Sequence, residues 1–452
     1  MQLLTAKISP NMLQGAWVAG GMGASQLIRL AGNLILTRLL FAEAFGLVAL
    51  AGAIILGLNM LSDVGLRGAV LKSKRSNDPH FMETVWTIQI LRGFILAIAI
   101  LIAAPFISDF YNEPALALIL PLWALNTAVL GFKSVALYTY DKNLVLHKQV
   151  IMEIGTQLMG AIVMITWAWY SPTVWALVAG TLFTGFISTL MSYLMFTGHH
   201  SRIRFDLKAM SEIVSFGKWI FLSTAIGYIA NQGDKLIMGA WLTMTELGVY
   251  SIAAVLASVP NMLIGNLSGR FLQPLFRKHI DDATEHKISH VRLRLNAVVC
   301  AGCCLLAWLG QLIVDVLYDD RYIAAGWMLQ LLAIRSIGFT LNATLTPYLL
   351  AKGDSFSQFK YQCINSTYLV IGMIIGAQVS TFGIIIAYAL GPIICHPVLV
   401  YITRKHALPD TKYDLFLLAG FVALVCIGWY LGNATILEQA YLFASEAKEL
   451  LN

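Results

Sequence analysis

The sequence predicts an all-α, polytopic membrane protein with two six-helix lobes around a central cavity and one additional span near the C-terminus. Hydrophobic residues make up 58% of the 452 residues and charged residues only 12%. About a quarter of an ordinary soluble protein is charged. The mean hydropathy is +0.74. A chain of this composition is not an ordinary soluble protein, and its apolar residues are grouped into stretches of membrane-spanning length.

Thirteen stretches are long and apolar enough to cross a bilayer, which takes about 20 residues of helix. The first twelve divide into six and six. We therefore predict an N-terminal six-helix lobe at residues 1–210, a C-terminal six-helix lobe at residues 211–403, and an additional transmembrane helix with a polar tail at residues 404–452. The predicted spans are residues 13–38, 43–65, 81–107, 114–137, 149–170, 173–196, 212–238, 244–268, 293–317, 322–350, 358–378, 381–402 and 414–432.

An internal repeat supports the division into two halves. At an offset of 202 residues and without a gap, residues 34–36 align with residues 236–238, and Gly46 aligns with Gly248. The tripeptide Asn-Met-Leu occurs at residues 59–61 and again at residues 261–263. Repeated halves are common in transporters, so we predict two homologous lobes, the second beginning near Asp234.

Lys and Arg are distributed unequally between the two sides of the predicted membrane. With the N-terminus in the cytoplasm, about 22 of the 30 basic residues lie in inside loops and about four lie outside. Basic residues favour cytoplasmic loops, so we predict a multi-pass topology with an uncleaved, cytoplasmic N-terminus. The net charge of +6 fits these basic loops and gives no reason to expect nucleic acid as a partner.

Several polar and basic residues remain within the predicted spans. Gln26, Arg29 and Asn33 follow one another at i, i+3 and i+7 and so share one helix face. Gln89 and Arg92 repeat the first of these spacings in the third span. The basic residues within the spans are Arg29, Arg92, Arg335, Lys218 and Lys235. Because a lipid-facing Arg is costly, we expect these residues to line a water-filled cavity between the two halves.

A cationic cavity favours an anionic ligand. The guanidinium fork of Arg matches the oxygens of phosphate, and a buried pyrophosphate would explain several Arg residues within the bilayer. The candidate substrate-binding residues are Arg29, Arg92, Arg335, Lys235, Lys218, Gln26, Asn33 and Gln89. The alternative is that some of these residues form structural ion pairs or extend towards the interface, above all Lys218 and Lys235.

Acidic residues within the spans are candidates for ion coupling. We assign this role to Asp234, Glu83 and Asp63, since an ionisable group in a spanning helix is a functional candidate. Asp63 precedes Arg67 by four residues and could pair with it on one helix face. The chain shows no nucleotide-binding loop and no metal-ligand spacing, so we expect no cofactor and no catalytic residue.

Four stretches carry a resemblance to a known family. Residues 234–239 (Asp-Lys-Leu-Ile-Met-Gly) and 246–253 (Glu-Leu-Gly-Val-Tyr-Ser-Ile-Ala) resemble the central signature of bacterial polysaccharide transporters. This family belongs to the multidrug/oligosaccharidyl-lipid/polysaccharide exporter superfamily. The other similar stretches are residues 45–51 with 61–66, residues 104–107 with 110–111, and residues 144–154.

The resemblance extends over about residues 15–400 and implies a function. It implies a flippase that moves an undecaprenyl-pyrophosphate-linked oligosaccharide across the bacterial inner membrane by alternating access, for exopolysaccharide, O-antigen or lipopolysaccharide biosynthesis. The implied partners are this substrate and the lipid bilayer, with a polysaccharide polymerase and chain-length machinery as further candidates.

Two other functions remain open at this point. A drug/cation antiporter of the same superfamily would require an anionic cavity, and a surplus of buried Arg and Lys disfavours it because a cationic drug would be repelled. A membrane-embedded polysaccharide polymerase or ligase would require a large outside loop with acid/base groups, and the predicted outside loops are short. A pure scaffold would leave the charges within the spans unexplained.

Overall fold

A computed structural model describes residues 10–63, 65–76, 78–198, 202–281, 285–404 and 411–432, and these residues form sixteen α-helices and no strand. Nine of the helices are long and apolar enough to cross a membrane, or ten if a bent pair forms one span. The predicted all-α polytopic fold is therefore confirmed. The polar tail predicted after the last span lies outside the described residues.

The chain divides into two compact units, Met1–Ala225 (unit 1) and Ile226–Asn452 (unit 2). The sequence-based domain boundaries given above remain a prediction. The helices that lie entirely in unit 1 are α1 Pro10–Leu39, α2 Ala42–Leu61, α3 Leu66–Lys72, α4 Pro79–Tyr111, α5 Leu116–Gly131, α6 Ala136–Lys142, α7 Leu146–Tyr170 and α8 Val174–Met195. Within unit 1, α4 packs on α5, α7 packs on α8, and α1 packs on α7.

The next helix, α9 Leu207–Trp241, crosses the division between the units. The remaining helices are α10 Met244–Leu267, α11 Gln273–Asp281, α12 Glu285–Leu317, α13 Ala325–Ala351, α14 Ser355–Ala377, α15 Thr381–Arg404 and α16 Thr411–Gly432, with a π-helical turn at Ser268–Leu272 and a short 3₁₀ turn at Asp320–Tyr322. Helix α13 lies at the centre of unit 2, where it packs on α10, α12 and α15. In its most apolar stretch 83% of the residues are buried.

Two breaks interrupt the predicted spans of unit 1. Helix α2 ends at Leu61, and Gly65 then adopts a left-handed conformation with φ of 65° before α3 begins, a region that glycine enters without steric cost. The predicted fourth span is also divided, since α5 and α6 meet at an angle of 64°. Helix α13 of unit 2 has no such break.

The first break overturns one predicted pair. Asp63 lies beyond the end of α2 and accepts a hydrogen bond of 2.9 Å from the backbone N–H of Gly65. Arg67 instead forms an ion pair of 2.8 Å with Asp141. The prediction that Asp63 pairs with Arg67 is therefore wrong, because the helix that would place them on one face ends before both residues.

The bounds of the helices preserve the predicted repeat. Helices α1 and α9 end at Leu39 and Trp241, and α2 and α10 begin at Ala42 and Met244, so both pairs keep the offset found in the sequence. Further along, a slightly larger offset relates the start of α5 to the start of α13, and the same larger offset relates the end of α6 to the end of α13. Helix α13 thus occupies the place of α5 and α6 together, and the larger offset reflects residues added between α10 and α13.

A buried ion pair joins α16 to α12 within unit 2. Nη1 of Arg292 on α12 donates hydrogen bonds of 3.0 and 2.8 Å to the two carboxylate oxygens of Asp414 on α16, and both side chains are fully buried. The sequence predicts Arg292 to be a cytosolic loop residue. It lies in a helix rather than a loop, because α12 begins at Glu285, about two turns before the predicted start of the ninth span.

Candidate functional site

A cavity of about 240 Å³ within unit 2 brings together three of the predicted charged residues. Asp234 and Lys235 reach it from α9 and Arg335 from α13, while Tyr250 of α10 and Tyr388 of α15 complete its wall. We call this cavity the unit 2 pocket. It fits the prediction that ionisable residues within spanning helices face a cavity rather than lipid.

Aromatic residues hold the charged groups of the unit 2 pocket in place. The hydroxyl of Tyr250 donates a hydrogen bond of 2.5 Å to Oδ2 of Asp234. The guanidinium of Arg335 lies 4.2 Å from the centre of the Tyr388 ring, a cation–π distance. Nζ of Lys235 donates a hydrogen bond of 2.9 Å to Oε1 of Gln232. These contacts orient the charges while leaving several polar atoms available.

Three buried polar atoms of the lining residues lack a hydrogen-bond partner among the described residues. They are Oδ1 of Asp234, Oδ1 of Asn261 and Nε of Arg335. A buried polar group without a partner is costly. With Lys235 and Arg335 positive and Asp234 negative, the lining carries a surplus of one positive charge. The pocket therefore has unused donors and acceptors and a net attraction for anions.

A second cavity of about 500 Å³ lies within unit 1, among α1, α2, α5, α7 and α8. We call it the unit 1 pocket. Arg29 and Asn33, both predicted site residues, line it from α1. Arg29 is the only charged residue among the described residues that line it. The other polar lining residues are Asn33, Asn126, Gln157, Thr181, Thr184 and Ser188.

Arg92 and Gln89 lie elsewhere in unit 1, beside a smaller cavity of about 230 Å³. The guanidinium of Arg92 donates hydrogen bonds of 2.6 Å to the carbonyl oxygen of Asn59 and 3.1 Å to Oγ of Ser62. It therefore satisfies the carbonyl end of α2, where backbone acceptors are left without helical partners. Arg29 and Arg92, expected to line one cavity, are placed in two different pockets.

Gln89 likewise bonds backbone carbonyl oxygens at the break between α5 and α6. Its Nε2 donates hydrogen bonds of 2.9 Å to the carbonyl oxygen of Gly131 and 2.8 Å to that of Lys133, and its Oε1 accepts one of 3.0 Å from Tyr138. Irregular backbone at membrane depth requires such partners. Gln26 is buried on α1 and its Nε2 has no partner among the described residues.

The remaining candidates lie away from the two pockets. Glu83 is near the start of α4, with its carboxylate 3.7 Å from both His80 and Arg204. Asp63 caps the turn before α3 and lies 4.0 Å from Arg92. The side chain of Lys218 lies outside the described residues. Of the three predicted acids, Asp234 is the one that shares a pocket with predicted basic residues.

Charged loop residues form a cluster beside Glu83. Arg75 donates hydrogen bonds to Asp206, in the segment before α9, and to Asp78, which precedes α4. These hydrogen bonds lower the pKa of both carboxyl groups and raise the pKa of Arg75. The backbone N–H groups of Arg204 and Asp206 donate to Thr87 and Thr84 of α4. This cluster attaches the segment before α9 to the start of α4.

Sequence reasoning missed Tyr250, Tyr388 and Asn126, which are pocket residues. Aromatic residues are abundant in this chain, so residue type alone did not mark the two tyrosines as pocket residues. Asn126 could have been found from the repeat, because the larger offset, which relates α5 to α13, places it at the position of Arg335. That offset becomes visible only once the helix bounds are known.

Long apolar helices around small, charge-lined pockets define the protein as a polytopic membrane protein. Residues 35–326, more than half of the chain, match the family of polysaccharide biosynthesis proteins, and the chain belongs to that family. This match confirms the family resemblance found in the sequence.

Two curated relatives are similar over most of their length. The lipopolysaccharide biosynthesis protein WzxC of Escherichia coli is 22% identical over 85% of this chain and 79% of its own. The succinoglycan biosynthesis transport protein ExoT of Rhizobium meliloti is 23% identical over 74% of this chain and 67% of its own. Among solved structures, the lipid II flippase MurJ in an inward closed conformation superposes with a TM-score of 0.71 at 12% identity, covering 95% of this chain and 96% of its own, so the fold is shared.

Proposed function

We propose that the protein is a flippase that moves an undecaprenyl-pyrophosphate-linked oligosaccharide repeat unit across the bacterial inner membrane by alternating access. The observation that carries this proposal is the surplus of positive charge in both pockets: Lys235 and Arg335 against Asp234 in unit 2, and Arg29 alone in unit 1. A cationic pocket within apolar helices attracts an anionic group and repels a cationic one.

Within this proposal the unit 2 pocket holds the pyrophosphate. Arg335 contributes a charge-assisted contact through its fork, and Lys235 contributes a second positive charge. Nε of Arg335 is buried and has no protein partner among the described residues, so a phosphate oxygen that entered the pocket would satisfy it. Arg92 and Gln89 are assigned to the helix ends that they bond, and Arg29 to another anionic group of the same substrate.

Transport without a nucleotide requires another source of energy, and we propose Asp234 as the coupling group. It is buried, it shares the pocket with the two cations, and Tyr250 bonds one of its carboxylate oxygens. Asp234→Asn should make transport insensitive to an imposed proton gradient while the protein still binds substrate. Variants of Glu83 and Asp63 serve for comparison. If the dependence of transport on the proton gradient is unchanged in Asp234→Asn, Asp234 is not the coupling group.

Reconstitution into liposomes tests the flippase directly. A fluorescent undecaprenyl-pyrophosphate-linked oligosaccharide is placed in the outer leaflet, and the fraction protected from an impermeant quencher is followed with time. Protein should accelerate protection over empty liposomes, and a cationic dye should show no protein-dependent uptake. Dye uptake driven by a proton gradient, without movement of the lipid-linked sugar, would establish the antiporter in place of the flippase.

The orientation and the partners belong to the same proposal. The basic loops support a cytoplasmic N-terminus in the inner membrane, so the lipid-linked sugar would be received from the cytoplasm. A polysaccharide polymerase and chain-length machinery are then the proteins expected to use the translocated product. Reaction of single cysteines in the loops with an impermeant reagent tests the orientation, and labelling of the Lys74 position only from outside would reverse it.

A further inference from the structure

The unit 1 pocket differs from the unit 2 pocket in what it can bind. Its volume, about 500 Å³ against about 240 Å³, lies in the range of sites that enclose small-molecule ligands. Arg29 is exposed and is the single charge among the described lining residues. A pyrophosphate diester carries two negative charges, for which one Arg is a poor match. The unit 2 pocket offers two cations to such a group, although Asp234 reduces its net charge to that of the unit 1 pocket.

The rest of the polar lining consists of amides and hydroxyls. The side chains of Asn33, Asn126 and Gln157 and three hydroxyls line the cavity. Gln157 is bonded to Ser25, and the hydroxyls of Thr181 and Thr184 donate to backbone carbonyls of α8 and keep their acceptor capacity. Amides and hydroxyls both donate and accept hydrogen bonds, as sugar hydroxyls do. Phe45, Met164 and Leu36 supply apolar surface beside them, and the carbon–hydrogen faces of a pyranose ring require such surface. This mixture suits a carbohydrate better than a phosphate.

The amide of Asn126 is held by a specific feature of the packing. Its Oδ1 is buried and has no hydrogen-bond partner among the described residues. A Cβ atom at position 185 would overlap that oxygen, so the glycine of α8 at this position leaves the space in which the amide lies. The oxygen is buried against the α8 backbone, so a ligand hydroxyl reaches it when the amide turns towards the cavity that Asn126 lines, and the unsatisfied acceptor favours that contact.

We propose that the unit 1 pocket binds the sugar portion of the substrate, and that Arg29 selects repeat units with a carboxylate-bearing sugar. The guanidinium fork pairs with a carboxylate through two parallel hydrogen bonds, and Asn126 accepts a hydrogen bond from a neighbouring hydroxyl. This inference rests on the proposed function for the identity of the substrate. It adds a specificity site that is chemically separate from the pyrophosphate site.

Two soluble probes that differ only at the carboxylate test this assignment. The first is a tetrasaccharide containing glucuronic acid, and the second is the same tetrasaccharide with its carboxyl groups reduced to alcohols. Binding to the purified full chain is measured by calorimetry, with inorganic pyrophosphate as a third ligand. We expect the acidic probe to bind about tenfold more tightly than the reduced probe, the effect of one charge-assisted contact.

Variants separate the two sites. Arg29→Gln should lower the affinity for the acidic probe to that for the reduced probe and leave pyrophosphate binding unchanged, and Arg29→Lys should restore part of the difference. Asn126→Leu should weaken both sugar probes equally. Arg38→Gln, on the opposite face of α1, is the matched control and should bind all three ligands like the parent chain. Thermal unfolding of each variant identifies any loss due to misfolding.

Failure of this inference is distinguishable from failure of the proposed function. Equal binding of the two tetrasaccharides by the parent chain, or loss of pyrophosphate binding in Arg29→Gln, would overturn the sugar site. Both results leave the flippase intact. Absence of pyrophosphate binding in the parent chain, combined with a carboxylate preference that depends on Arg29, would support the sugar site and contradict the pyrophosphate assignment.

Discussion

The unit 1 and unit 2 pockets occupy equivalent positions in the two repeats but carry different chemistry. At the offset that aligns the two halves of the sequence, Asn33 of α1 corresponds to Lys235 of α9. At the larger offset that relates α5 to α13, Asn126 corresponds to Arg335. Two amides of unit 1 are therefore replaced by two cations in unit 2. Duplicated helices provide two similar cavities, and a few substitutions decide whether each suits an uncharged or a charged group.

The acidic residue of the unit 2 pocket also has an uncharged counterpart in unit 1. Asp234 of the unit 2 pocket corresponds to Gly32 of α1, which also lines its pocket. The two cations of the unit 2 pocket are thus accompanied by an acid, whereas the single cation of the unit 1 pocket has none among the lining residues described. Two described acids of unit 1, Asp78 and Asp206, lie next to helix ends in the cluster with Arg75.

The largest effect should come from charges of unit 2 that do not line its pocket. Arg292→Leu removes the buried counter-charge of Asp414, and breaking such a pair costs about 3–5 kcal/mol. Chemical unfolding in detergent should show this loss, together with reduced abundance in the membrane. The double variant Arg292→Met with Asp414→Leu should recover most of the stability. A stable Arg292→Leu protein that no longer transports would make the pair functional and extend the charged site of unit 2.

A large effect on transport is expected when unit 2 is given the residue of unit 1. Arg335→Asn copies Asn126 and removes a charge-assisted contact of about 1.5–3 kcal/mol, so transport should fall roughly ten- to hundredfold. Arg335→Lys should recover only part, because the ammonium lacks the fork. Initial rates in liposomes, normalised to reconstituted protein, provide the measurement. Normal rates in Arg335→Asn would abolish the distinction between the pockets.

Lys235→Asn, which copies Asn33, should have a smaller effect on transport. Lys235 is partly exposed and is a point charge rather than a fork, so a loss of about 0.5–1.5 kcal/mol, roughly two- to tenfold, is expected. Salt should inhibit the variant less than the parent chain, since screening acts on the removed charge. An effect larger than that of Arg335→Asn would make Lys235 the principal cation of the unit 2 pocket.

The smallest effect should come from the exposed cluster at the start of α4. The hydrogen bond from Arg75 lowers the pKa of Asp206 in the folded protein. The stabilisation is therefore present at neutral pH and is lost as the pH falls through the lowered pKa. Thermal unfolding of the parent chain and of Asp206→Asn should differ slightly at neutral pH and converge in strong acid. A difference that grows on acidification would have the opposite sign and contradict the assigned contact.

Much of the fold could be predicted because its signals are local. The thirteen predicted spans correspond to long helical elements, and the repeat of residues 59–61 at residues 261–263 reflects equivalent helices α2 and α10. Nine helices, or ten with the bent pair, are apolar enough to span by composition among the residues described. Three long helices, α1, α9 and α14, are less apolar than these. Of the three, α1 and α9 contribute polar residues to the two pockets.

The candidate site was predicted only in part. Asp234, Lys235 and Arg335 do share a pocket, and Arg29 shares another with Asn33. Arg92 follows the same i, i+3 pattern as Arg29 but bonds the end of α2. The spacing places both Arg29 and Arg92 on a polar helix face, but it does not identify the groups that they contact. Whether a neighbouring helix ends opposite that face depends on the break at Gly65, which lies outside the helix that carries Arg92.

By itself the sequence determined that this chain is a membrane protein, where most of its spans lie, and that its halves repeat. These properties follow from runs of apolar residues and from similarity at a constant offset, both readable without knowledge of packing. The tertiary structure decided which charges are available to a ligand. Both side chains contain buried nitrogens without a hydrogen-bond partner among the described residues. Arg292, however, is paired with Asp414 on a helix distant in the sequence, whereas Arg335 lines a pocket and lies against the ring of Tyr388. That difference arises because distant helices supply or withhold a counter-charge.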